Sequence, residues 1–280
     1  MNSKICQLMY YKKLTLLLIL LVTFFLRFAL FSFTIIPHEK RGMGPDSYGY
    51  DLLAVNMLQN HTFSLSQQPP FIPDLHRTPI YPLFLASLYS VFGRNPVVAI
   101  FFNIIISVLT VFVTYRLGLK LFNETTALFV AFLLAIDPIS IIESNILITE
   151  ILFSLLLLLG LFFLIRSFKE INILSLLVSS LLLSLSALTR PITVYLPLVL
   201  IPVFVHKYRK SVHNLFIKLA VFLIIFFIPV GGWILRNYSI TGEPVFCTIQ
   251  DINLVYYRAA GVMAEISGED FESVQKRFSN

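Results

Sequence analysis

Residues 14–36, LTLLLILLVTFFLRFALFSFTII, decide the architecture. The run is apolar apart from Arg27 and a few hydroxyls. It follows Lys4, Lys12 and Lys13, with no acid among residues 1–13. About 20 helical residues cross the hydrocarbon core of a bilayer. A cleaved leader would have a shorter apolar core and a small-residue cleavage site. The run therefore reads as a retained first transmembrane helix (14–36) behind a cytoplasmic N-terminus (1–13). Arg27 falls mid-span, where an ionisable side chain faces a bundle interior. Pairing with an acid is the preferred expectation for it, and contact with a lipid phosphate the alternative.

The rest of the chain has the same character. Of its 280 residues 57% are hydrophobic and 13% charged, against about a quarter charged in soluble domains. Further apolar runs at 96–122, 125–142, 149–168, 171–188, 191–205 and 215–235 complete a six-helix bundle over 96–235. The chain thus reads as an all-α polytopic membrane protein of about seven transmembrane helices, since a barrel would need period-two alternation. The net charge of +6 is explained by orientation rather than by nucleic acid, for which no basic-aromatic groove pattern exists. Arg116, Lys120, Arg166, Lys169, Lys207, Arg209, Lys210 and Lys218 all fall on the side of the N-terminus. Asp46, Asp51, Asp74, Glu143, Glu150, Glu243 and Asp251 fall on the other. This is the asymmetry of a multi-pass protein of the cell membrane with its polar chemistry on the extracytoplasmic face. Cys6 and Cys247 lie on opposite sides and form no disulfide framework.

Two water-compatible segments remain, a first loop at 37–95 and a tail at 236–280. In the loop, Asp46, Tyr50, Ala54 and Leu58 recur every four residues, which places them on one face of an interfacial helix. Gln67-Gln68-Pro69-Pro70 and Pro73 interrupt regular structure. Arg77-Thr-Pro-Ile-Tyr81-Pro then opens an apolar helix too short to cross. The last residues of the tail, 269–280, are polar and end without a core, and the tail reads as truncated.

Several of these motifs together resemble the C superfamily (GT-C) of membrane glycosyltransferases, in the branch of the protein O-mannosyltransferases and lipid A aminoarabinose transferases. They are Asp46-x-x-x-Tyr50-x-x-x-Ala54; Arg77-Thr-Pro-x-Tyr-Pro-Leu-Phe-Leu-Ala86; Thr149-Glu150; Leu188-Thr-Arg190-Pro191; and Arg236-Asn-Tyr-x-x-x-Gly242-x-Pro244. The resemblance covers most of residues 20–260. It implies transfer of a sugar from a polyprenyl-phosphate donor to a glycan, lipid or protein acceptor outside the cytoplasmic leaflet. It also implies that Asp46 is the catalytic carboxylate. The protein mannosyltransferases carry Asp-Glu at this point; here Ser47 follows Asp46. Family members are longer, with further helices and often a soluble C-terminal part.

Such a transfer needs a base for the acceptor proton and fixed cations for the departing phosphate. Asp46 and Glu150 are the candidate carboxylates, and Arg77, Arg190 and Arg236 the candidate phosphate ligands. Tyr50 and Tyr81 are candidates for loop packing or sugar contact. Each has a structural rival. Asp46 could cap its helix, Glu150 could be a first-turn acid favoured by the helix dipole, and the arginines could be interfacial anchors. His61, His76 and Asp74 share the loop without a recognised metal-ligand spacing, so neither a metal nor a cofactor is expected. A transporter or flippase of lipid-linked sugars, which would show broken helices and an inverted repeat, and an inactive truncated membrane subunit are the alternative functions.

Overall fold

The structure is a computed structural model that describes residues 2–36, 38–170, 172–249 and 253–278, without the side chains of residues 2–10, 39 and 40. Asp251 and the side chains of Lys4 and Cys6 thus lie outside the described residues. Every regular element among the described residues is helical. Helix α1 covers Asn2–Leu30 and runs on through a wider turn at Phe31–Ile35. In the loop lie α2 (Pro45–Gln59) and α3 (Ile80–Phe92). Then come α4 (Pro96–Leu121), α5 (Glu124–Ile136), α6 (Pro138–Glu143), α7 (Glu150–Glu170), α8 (Ile173–Ala187), α9 (Leu196–Tyr208) and α10 (Val212–Thr241). Asparagines start several of them. Asn95 accepts from the Val97 and Val98 amides, Asn123 from Thr126, and Asn172 from Leu174 and Ser175. These caps satisfy amides that a helix cannot bond internally.

Five segments are long and apolar enough to cross a membrane: Tyr11–Ile35, Pro96–Leu121, Glu150–Glu170, Pro191–Tyr208 and Val212–Thr241. Helices α5 and α8 are apolar but shorter, at 13 and 15 residues. The expected continuous span at 125–142 is corrected here, because it breaks between Ile136 and Pro138. Proline removes an amide and disfavours helical backbone at the residue before it. Asp137 accordingly adopts extended backbone (φ −62°, ψ 118°) and caps α6 by accepting from the Ser140 amide at 2.7 Å.

Arg27 explains how this break is tolerated in the interior. It is fully buried, and Asp137 at the break acts on it electrostatically without a direct ion pair among the described residues; oxygens of α1, α4 and the broken helix take its N–H groups instead. Its Nη1 donates to Ala135 O (2.9 Å) and Thr23 O (3.3 Å), its Nη2 to Leu134 O (3.3 Å) and Ser140 Oγ (2.9 Å), and its Nε to Ser107 Oγ (2.7 Å).

Helices α7 and α8 approach closely. A Cβ on Gly160 would lie 2.6 Å from Leu183 Cδ2, and Ser179 Oγ donates to Gly160 O at 2.8 Å. Small residues with a hydroxyl that bonds across the interface are the usual means of joining helices where lipid weakens the hydrophobic drive. Helices α9 and α10 pack on this pair through Phe204, Phe222, Phe226 and Val230. At one end of the bundle Lys12 pairs with Glu124 (2.6 Å), and Lys120 and Arg166 pair with Glu170 (3.5 and 2.7 Å). The first loop, the starts of α7 and α9 and the end of α8 gather at the other end. The tail has buried contacts, and one of them, Val274, falls in the stretch 269–280 expected to lack a core. Helices Ala260–Ser267 and Phe271–Phe278 form there, with Ala260 and Val274 fully buried.

Candidate active site

Gly44 caps α2 and Pro45 occupies its first position, where the fixed φ of proline suits a helix start. The Gly44 amide donates to Ser47 Oγ at 2.9 Å, so Ser47 serves the cap. Asp46 is one residue inside the helix, and its side chain is not used as the N-cap. That carboxylate is 72% exposed and accepts from Arg77 Nη2 at 3.3 Å. Arg77 in turn is 13% exposed, with its guanidinium carbon 5.3 Å from the centre of the Tyr50 ring.

A second pair lies across from it. Glu150 opens α7, accepts from Thr149 Oγ1 at 3.2 Å and pairs with Arg190, which follows α8. The two arginine-bearing segments are joined directly. Thr78 Oγ1 donates to Thr189 O and the Ile80 amide donates to Leu188 O, both at 3.1 Å. The Arg77-Thr78-Pro79 and Thr189-Arg190-Pro191 motifs therefore form one ledge, and residues far apart in sequence share a wall.

Asp46, Tyr50, Arg77, Glu150 and Arg190 line a single cleft of about 760 Å³, within the roughly 300–1,000 Å³ of typical small-molecule sites. Ile192 and Tyr195 from the start of the α9 segment, and Leu254 and Tyr257 from the tail, make its apolar side. Two carboxylates and the guanidinium groups of Arg77, Arg190 and Arg258 thus share one space with apolar residues. This arrangement can accept a proton, bind an anion and hold a greasy chain.

One candidate phosphate ligand lies elsewhere, and Tyr81, a candidate for loop packing or sugar contact, is in the packing position. Arg236 is not in the cleft. Its Nη1 donates to Asp74 O (3.0 Å) and Asn237 Oδ1 (2.8 Å), and its guanidinium stacks 4.8 Å from the Trp233 ring and 5.4 Å from that of Phe63. It holds the first loop onto the end of α10. Tyr81 is fully buried behind Tyr50, ring edge to ring face at 5.1 Å, and its hydroxyl lies against the Asn103 side chain. Tyr81→Phe takes this contact from the buried Asn103 side chain and is expected to lower stability by about 1 kcal/mol. A loss of sugar transfer in that variant, measured beside its melting temperature, would show that the hydroxyl reaches substrate.

His76 and Arg258 also line the cleft. In the sequence His76 stands out only as a possible metal ligand, and nothing in the tail marks Arg258 as a residue that folds back over the first loop. No group of three or more His, Cys, Asp or Glu is placed to hold a metal among the described residues. Burial, and then the adjacent Arg77, push the His76 imidazole below its ordinary value, with Asp74 and Asp46 opposing. The folded protein therefore binds this proton more weakly than the unfolded chain, and the stability His76 contributes is complete above the unfolded value of about 6.5 and declines as pH falls below it. His76→Gln should flatten the loss of melting temperature between about pH 6.5 and 5. Burial likewise pushes the Tyr50 phenol up, against the lowering effect of Arg77, so it stays neutral and can donate.

Among curated proteins none matches the chain. The family model for dolichyl-phosphate-mannose-protein mannosyltransferase matches residues 76–233, more than half of the chain. The matched stretch includes Arg77, Glu150 and Arg190 and the ledge that joins them, while Asp46 and the tail lie outside it. Together with the apolar helices, the match means that the chain belongs to the dolichyl-phosphate-mannose-protein mannosyltransferase family and is a membrane glycosyltransferase of the GT-C type.

Proposed function

We propose that the chain transfers a sugar from a polyprenyl-phosphate-linked donor to an acceptor of the cell envelope, a glycolipid, polysaccharide or protein, on the extracytoplasmic face of the cell membrane. The N-terminus is then cytoplasmic, and α5 with α6, and α8, complete about seven crossings. The cleft carries this reading, because it brings the candidate carboxylates and two arginines of the first loop and the bundle into one space with an apolar wall. The acceptor hydroxyl gives its proton to Asp46 as its oxygen bonds to the anomeric carbon. The bond from that carbon to the phosphate oxygen breaks, and polyprenyl phosphate departs with an added negative charge. Arg77 and Arg190 stabilise that charge with guanidinium N–H groups beyond those that hold Asp46 and Glu150, since each guanidinium has five donors. Glu150 orients Arg190 and contacts the sugar. A single displacement inverts the anomeric configuration.

The test is transfer of labelled sugar from polyprenyl-phosphate donors by membranes carrying the chain, with release of polyprenyl phosphate measured alongside. Equal transfer by wild type and Asp46→Asn would remove the assignment of the base.

A further inference from the structure

Arg77 reaches Asp46 by lying across bare helix backbone. A Cβ on Gly49 would stand 2.7 Å from Arg77 Cζ, 2.8 Å from Nη2 and 3.1 Å from Nε. Real side chains do not approach so closely, so the guanidinium takes its place only because position 49 has no side chain. Asp46, Gly49 and Tyr50 stand three and four residues apart on α2, which puts them on one helical face. They form a slot: the carboxylate at one end 3.3 Å from Nη2, the Tyr50 ring beside it at 5.3 Å, and the glycine as its floor. The main chain of Arg77 cannot follow a displaced side chain. Its amide donates to Asp74 Oδ2 at 2.9 Å, and the next residue, Thr78, is tied to Thr189. Any group added at the floor must therefore be accommodated by the guanidinium, the far end of a flexible side chain.

We infer that Gly49 is a positioning residue for transfer: it admits the Arg77 guanidinium to α2 and so fixes the Asp46 carboxylate at the cleft edge. This inference rests on the role proposed above for Asp46 and Arg77. Arg77 holds Asp46 Oδ1 while the side chain stays 72% exposed, which leaves the carboxylate open to the acceptor.

The experiment uses the full chain in nanodiscs with Gly49→Ala, Arg77→Gln, the double variant, and Gly231→Ala as control, since a Cβ at Gly231 meets nothing within 4 Å. The first readout is phenylglyoxal modification of Arg77, located by peptide mass spectrometry. Gly49→Ala is expected to raise it several-fold over wild type and Gly231→Ala, without lowering the melting temperature, because alanine favours a helix interior over glycine. Unchanged modification, or a melting temperature lowered with Arg77 still protected, overturns the inference. This arm holds whatever sugar the donor carries. The second readout is transfer from polyprenyl-phosphate mannose. Gly49→Ala should slow it about a hundredfold, the scale of a displaced catalytic group. The double variant should be no slower than Arg77→Gln, since both changes act through one side chain. Multiplying losses would overturn the inference. Wild-type rates in Gly49→Ala with an inactive Asp46→Asn would remove the role of Gly49 alone, whereas an active Asp46→Asn would remove the proposed base itself.

Discussion

Asp46→Asn is expected to slow sugar transfer by about two to four orders of magnitude, the contribution of a placed general base, while leaving the stability of the fold within about 0.5 kcal/mol of wild type. The separation of the two effects follows from geometry. Asparagine keeps the shape of the side chain and its place in the first turn of α2, and the cap of that helix belongs to Gly44 and Ser47. The pair with Arg77 is open to solvent, with the carboxylate 72% exposed, and such pairs contribute about 0–1 kcal/mol to folding. The amide, however, cannot take a proton from an attacking hydroxyl. Rate and stability should therefore part company. A variant that lost both would point to a structural role for Asp46, and one that lost neither would leave the cleft without its base. Glu150→Gln provides the contrast. Glu150 is paired with Arg190, so its loss should weaken donor binding as well as turnover.

The sequence carried the apolar runs and the helix starts clearly, because hydropathy and the residues Asn95-Pro96 or Asn123-Glu124 are local signals. The four-residue spacing from Asp46 to Leu58 likewise appears as α2. Which arginine meets which carboxylate was not legible. Asp46 and Arg77, and Glu150 and Arg190, are joined by a ledge whose bonds run from Thr78 and Ile80 to Thr189 and Leu188, and no local pattern records them. Arg236 stood beside a membrane boundary in sequence much as Arg77 and Arg190 do. Its aromatic neighbours decide its place, and one of them, Phe63, comes from a distant part of the loop. The break before Pro138 was written locally in Asp137-Pro138, but the apolar residues on both sides concealed it from a reading based on hydropathy.

That break sets up the largest effect expected on folding. Arg27→Leu should destabilise the protein by roughly 3–5 kcal/mol, since several hydrogen bonds from a charged donor are lost together and their acceptors stay buried. An arginine has five N–H donors, and Arg27 directs them at Thr23 O, Leu134 O, Ala135 O, Ser107 Oγ and Ser140 Oγ. The carbonyls of Leu134 and Ala135 belong to the last turn of α5, where helix geometry leaves them without an amide partner. A cation there also meets the negative end of the helix dipole. In the bilayer interior no water replaces these bonds. Arg27→Lys keeps the charge but offers three donors in place of the planar fork, so its loss should be intermediate. Pro138→Ala placed in the Arg27→Leu background should recover part of the stability. It returns the amide that proline lacks and lets α5 continue toward α6, so that the orphaned carbonyls find partners in their own helix. Melting temperatures of the four proteins in one detergent would decide this. If Arg27→Leu melted with wild type, the guanidinium would be a passenger in the interior rather than the group that completes the end of α5.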